Sequence, residues 1–75
     1  MMSRLPNMRP KEVVAALKRY GFQETHQKGS HLYLVSSDKK RMTSVPIHPG
    51  DVHRGLLKQI LKQAGISESD FRELI

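Results

Sequence analysis

The sequence predicts a two-layer α+β sandwich, with two main helices and a short third one covering one face of a three-stranded antiparallel sheet. Three observations predict it. Two segments, near 10–20 and near 53–64, carry apolar residues at helical spacing, and each ends at a glycine followed by an apolar residue. Between them, His31 to Val35 and Arg41 to Ile47 alternate with a period of two, as half-buried strands do. An α-β-β-β-α order closes simply when sequential strands pair as hairpins and both helical stripes pack on one sheet face.

Each element has its own local reasons. Residues 1–9 form an irregular lead, with Pro6 and Asn7 as breakers. Pro10 suits the first turn of a helix, where its missing N–H has no intrahelical partner, and Glu12 complements the positive end of the helix dipole. Val13, Val14, Leu17 and Tyr20 define its apolar stripe. Gly21 ends it, with Phe22 placed to fold back on Leu17. Phe22 to Gln27 is polar and is assigned as the first strand because it feeds the turn at Gly29. In the second strand Leu32 and Leu34 share one face, while His31, Tyr33 and Val35 share the other. Residues 36–40 form a turn. The third strand sets Thr43, Val45 and Ile47 on one face, and Pro46 restricts it to an edge position or a strand end. The loop His48-Pro49-Gly50-Asp51 leads to a helix striped by Leu57, Ile60, Leu61 and Ala64, with Leu56 beside the stripe. Gly65 and Ile66 repeat the ending of the first helix. Ser67 then caps a short last helix in which Phe71 and Leu74 face inward.

With 75 residues and no cysteine, the chain is one domain without disulfides or a thiolate zinc site. Its four histidines show no ligand-like pairing, so neither a metal nor another cofactor is expected. No apolar run approaches a membrane span or the core of a signal peptide, which suggests a cytoplasmic protein that does not engage a membrane. Thirteen Lys and Arg against seven Asp and Glu give a net charge of +6, which points towards a polyanionic partner. The charge is uneven. Arg54, Lys58 and Lys62 recur at four-residue spacing on the second main helix, Lys39-Lys40-Arg41 occupies a turn, and three of the seven acids follow Gly65.

The residues with chemistry to offer gather at Lys28-Gly29-Ser30-His31. Gly29 is the pivot of a tight hairpin, or a place where another backbone comes close. If helices cover the Leu32–Leu34–Val45 face, His31 and Tyr33 point to the open one. A histidine, a hydroxyl and a lysine then supply proton transfer, orientation and positive charge to one spot. By spacing alone this reads first as a polar turn with an exposed histidine, since short Gly-Ser-His runs occur often by chance. Tyr33 has two readings, stacking on a nucleic-acid base or packing across the strands. His48 and His53 rank below His31 as chemical groups.

Lys28-Gly29-Ser30-His31, then Val45-Pro46-Ile47-His48-Pro49-Gly50, then Gly55 through Ile60-Leu61-Lys62-Gln63-Ala64-Gly65-Ile66-Ser67 resemble the HicA family of mRNA-interferase toxins. The match runs in order from about Pro10 to the end. The resemblance implies a double-stranded-RNA-binding-domain-like fold and a small endoribonuclease acting on mRNA, held inactive by a HicB-type antitoxin. The family's motif histidine falls on His31, which makes His31 the expected catalytic residue. Lys28, Gly29, Ser30, Tyr33, Arg54, Lys58 and Lys62 are the expected RNA contacts. The chain departs from the family at Leu32, where a second histidine or another polar residue is common. It departs again at Arg54 and Leu56, which flank Gly55 where Pro-Gly-Thr often opens the helix. The alternative of another class is a non-catalytic RNA-binding module of the same fold, and a third is a basic domain whose partner is an acidic protein.

Overall fold

The computed structural model describes residues 5–75. Its elements are α1 (Pro10–Tyr20), β1 (Gln23–Lys28), β2 (His31–Val35), β3 (Met42–Pro46), α2 (Arg54–Ala64) and α3 (Glu68–Arg72). The strands form one antiparallel sheet in the order β1-β2-β3. This is the α+β architecture that the periodicities predict.

The helix ends follow from the local sequence. At α1 the Glu12 carboxylate accepts from the Arg9 N–H at 3.0 Å, half of a capping box. Gly21 takes a left-handed conformation, and the Phe22 N–H returns to the Leu17 carbonyl at 3.0 Å, closing a Schellman motif. Gly65 and Ile66 end α2 in the same way. Ser67 Oγ accepts from the Asp70 N–H at 3.0 Å and starts α3. Arg19 reaches from α1 to the Leu74 carbonyl, which ties the C-terminal segment to the first helix.

The register sorts the strand residues by face. Pairs Gln27–Leu32–Val45 and Glu24–Leu34–Thr43 share the helix-covered face. Lys28–His31–Pro46, His26–Tyr33–Ser44 and Gln23–Val35–Met42 share the open one. Leu34, Val45, Leu57, Leu61, Leu17, Val13 and Phe71 lie at the centre of the core. Every residue of β1 is exposed, so this strand overhangs the helical layer at the sheet's outer edge. Thr43, buried on the covered face, donates its hydroxyl to the Ile60 carbonyl at 3.0 Å and so pins α2 beside β3.

Several expectations are amended. The lead is irregular, but its described part is not idle. Leu5 is 1 % exposed and Met8 is also buried in the core. Met8 pairs with Val52 through two backbone hydrogen bonds, so the lead lies against the segment just before α2. Residues 1–4 of the lead lie outside the described residues. Tyr20 sits in phase with the α1 stripe yet is 44 % exposed, because the helix ends there and its ring lies against Phe22 at the surface. Ile47 is 36 % exposed, since β3 stops at Pro46 and the period of two no longer binds the next residue to the core.

Candidate active site

The site is built on the β1–β2 hairpin. Lys28 and His31 pair directly, leaving Gly29 and Ser30 as a two-residue turn. Gly29 has φ of 59°, while Ser30 is not left-handed, the pattern of a type II′ turn. A Cβ at Gly29 would meet no atom within 4 Å, so the dihedral rather than crowding requires glycine here. This decides between the two readings of the pivot. The turn sets Lys28 and His31 side by side on the open face, next to Pro46.

His31 is exposed, and its imidazole makes no hydrogen bond or ion pair among the described residues. It lines a groove of about 410 Å³. The sheet contributes Ser30, His31, Ser44 and Pro46 to this groove, and α2 forms the facing wall with Leu56, Gln59, Ile60 and Gln63. His48 closes one end. A second depression shares Ser44 and Gln63 with the first and continues past Tyr33 to Lys40 and Arg41. The two make one trough along β3. Among the described residues no carboxylate lines either part, whereas His31, His48, Lys40 and Arg41 do. An anionic chain therefore meets no like charge along this path.

Tyr33 stacks on His26 of β1, with ring centroids 4.8 Å apart and planes within 8°. Its cross-strand packing is thus realised. A bulge at Thr25 allows the arrangement: the Thr25 hydroxyl donates to the Tyr33 carbonyl at 3.3 Å and lies 3.0 Å from His26 Nδ1.

The model of the family described as HicA toxin of bacterial toxin-antitoxin matches residues 10–66. The chain belongs to the HicA toxin family. It is the toxin component of a toxin–antitoxin system, and an antitoxin is its partner. A search among curated proteins finds no match. The hairpin, the trough and both of its histidines lie within the matched region, while the buried Leu5 and Met8 and the helix α3 lie outside it.

Not every basic residue of this HicA chain reaches the trough. Arg54, Lys58 and Lys62 are exposed along α2, with Lys58 placed 4.0 Å from Glu68 of α3. By the 3.6-residue period their row is centred about 130° around the helix from the Leu56–Gln59–Gln63 wall. The row therefore faces away from His31. His53 is also apart from the groove: it is the N-cap of α2, its Nδ1 accepting from the Leu56 N–H at 3.3 Å. The sequence reading passed over Ser44, Gln59, Gln63 and the His26 stack. Strand parity places Ser44 on the His31 face, a signal that was present. The two glutamines carry no such signal, because which side of α2 borders the sheet depends on how the helix docks.

Proposed function

We propose that this HicA-family chain is a metal-independent endoribonuclease that cleaves mRNA, with His31 as catalytic residue, and that a HicB-type antitoxin neutralises it. The observation that carries the reading is the place of His31: exposed on the open face, beside Lys28, in a groove free of carboxylates among the described residues. RNA carries its own nucleophile in the 2′-hydroxyl, so cleavage requires proton transfer and stabilisation of charge on the phosphate. Imidazole exchanges protons near neutral pH and suits the first task. Lys28 offsets charge on the phosphate, and Ser30 orients it. A single strand laid along the trough runs from His31 past the Tyr33–His26 stack, which offers a base an aromatic surface, to Lys40 and Arg41. Arg54, Lys58 and Lys62, on the far side of α2, act on RNA by long-range attraction.

Labelled RNA incubated with purified protein in EDTA tests this reading. Wild type is expected to cleave. His31→Ala, which removes an exposed side chain, should keep its fold and its RNA affinity but lose about 10²–10⁴-fold in rate. A folded His31→Ala protein that cleaves at the wild-type rate removes His31 from the mechanism. Binding without cleavage by wild type leaves the RNA-binding module, for which the Tyr33–His26 stack would serve equally well.

A further inference from the structure

Cleavage by the 2′-hydroxyl requires two proton transfers, and His31 supplies one group. We infer that His48 is the second, the general acid that completes the reaction begun at His31. The inference rests on the ribonuclease reading above. It stands on three observations. His48 and His31 line the same groove. They share it for a reason of register: Pro46 pairs with His31, and the Ile47 N–H continues the ladder to the Ser30 carbonyl. His48 stands two residues beyond Pro46, in the bend where the chain leaves β3 beside the hairpin. Third, His48 Nδ1 lies 3.2 Å from the Pro49 carbonyl. A carbonyl only accepts, so Nδ1 carries the proton and Nε2 is the nitrogen free to exchange one.

The roles follow from the partners. The Pro49 carbonyl holds the His48 ring by Nδ1 and leaves Nε2 to meet the leaving oxygen, which suits the acid role. His31 has no internal acceptor among the described residues and takes the base role. In the forward step the 2′-oxygen bonds to the adjacent phosphorus and its proton passes to His31. The bond from phosphorus to the 5′-oxygen breaks, and that oxygen takes a proton from His48 Nε2. The products are a 2′,3′-cyclic phosphate and a free 5′-hydroxyl. No oxidant, reductant or further reactant is required.

The test uses the intact chain and two substrates, an ordinary oligoribonucleotide and one with sulfur replacing the 5′-bridging oxygen at the cleaved bond. A thiolate leaves without a proton, so it needs no acid. His48→Ala should lower the rate on ordinary RNA by about 10²–10⁴-fold, with RNA affinity within about twofold of wild type. The sulfur substrate should recover most of that loss for His48→Ala and none for His31→Ala. His48→Gln, which keeps a donor for the Pro49 carbonyl but transfers no proton, should behave as His48→Ala does. The rate–pH profile of wild type should lose its alkaline limb in both His48 variants. Arg9 and Lys11 at the start of α1 line a depression together with His48, His31 shares the groove with it, Lys28 pairs with His31, and Asp51 follows three residues along the chain. They are unchanged in these variants. Wild-type rates in folded His48→Ala, or a loss that sulfur does not relieve, overturn the acid role while leaving the ribonuclease reading intact. If wild type cleaves neither substrate, both inferences fall together.

Discussion

The β2–β3 turn shows how single residues set local stability here. Asp38 accepts from the Ser36 hydroxyl at 2.6 Å and from the Lys40 N–H at 3.0 Å, and Lys39 beside it holds a left-handed φ of 63°. The Ser36 hydroxyl foremost, and then the Lys40 amide, hold the Asp38 carboxyl below its ordinary value of 3.8. A carboxyl whose pKa is lowered by folding stabilises the fold above its unfolded value, and that contribution is lost as pH falls through the folded value. Asp38→Asn removes the titrating group. The difference in melting temperature between wild type and Asp38→Asn should therefore be constant above about pH 5 and shrink as the pH falls below 3.8. Thermal unfolding followed across that range is the measurement. A difference that does not change with pH would mean that the turn's hydrogen bonds do not depend on the charge.

At the scale of an element, α2 does most to shape the molecule. Its inner stripe of Leu57, Ile60, Leu61 and Ala64 enters the core, its Gln59–Gln63 side borders the trough, and its basic row faces away. Its start is the weak point. His53 caps it through a single hydrogen bond at 3.3 Å, and the first turn holds no acid. Aspartate is a better N-cap and adds a negative charge at the positive end of the helix dipole. His53→Asp should raise stability by about 0.5–1 kcal/mol in denaturant unfolding, with RNA cleavage preserved. A variant less stable than wild type would give the imidazole a role beyond the cap.

For the whole molecule, two consequences follow from its size and charge. A 75-residue domain has roughly 4–11 kcal/mol of net stability, so a buried leucine in the lead matters. Leu5→Ala should cost about 2–5 kcal/mol, visible as a large drop in denaturation midpoint. A shift near zero would show that the lead contributes little to the core. The second consequence concerns binding. RNA affinity should fall steeply with salt as counterions are released at neutralised phosphates. Lys28→Glu with Lys40→Glu should cut both affinity and cleavage, whereas Arg54→Glu with Lys58→Glu should lower affinity for all sequences alike. Affinity that stays flat as salt rises would remove the electrostatic footprint. We propose that the antitoxin neutralises the toxin by covering the hairpin, so amides of residues 28–33 should exchange more slowly in the complex than in the free toxin.

The sequence by itself determined what depends on neighbours a few residues apart. The two glycine-ended helices, the Ser67 cap, the hairpin at Gly29 and the parity that turns His31 and Tyr33 to the open face are all of this kind. Each rests on a period of 2 or 3.6, or on one residue's allowed dihedrals, and these are local properties. Only the tertiary structure decided the rest. Leu5 carries no periodic signal, and its burial depends on the lead pairing with Val52, some 45 residues away. The docking of α2 beside β3 decided that Gln59 and Gln63 border the trough while Arg54, Lys58 and Lys62 turn away. The end of β3 at Pro46 decided that Ile47 is exposed and that His48 joins His31. A sequence pattern fixes which face of an element is apolar. The side chains that meet across the gap between two elements are set by where those faces pack.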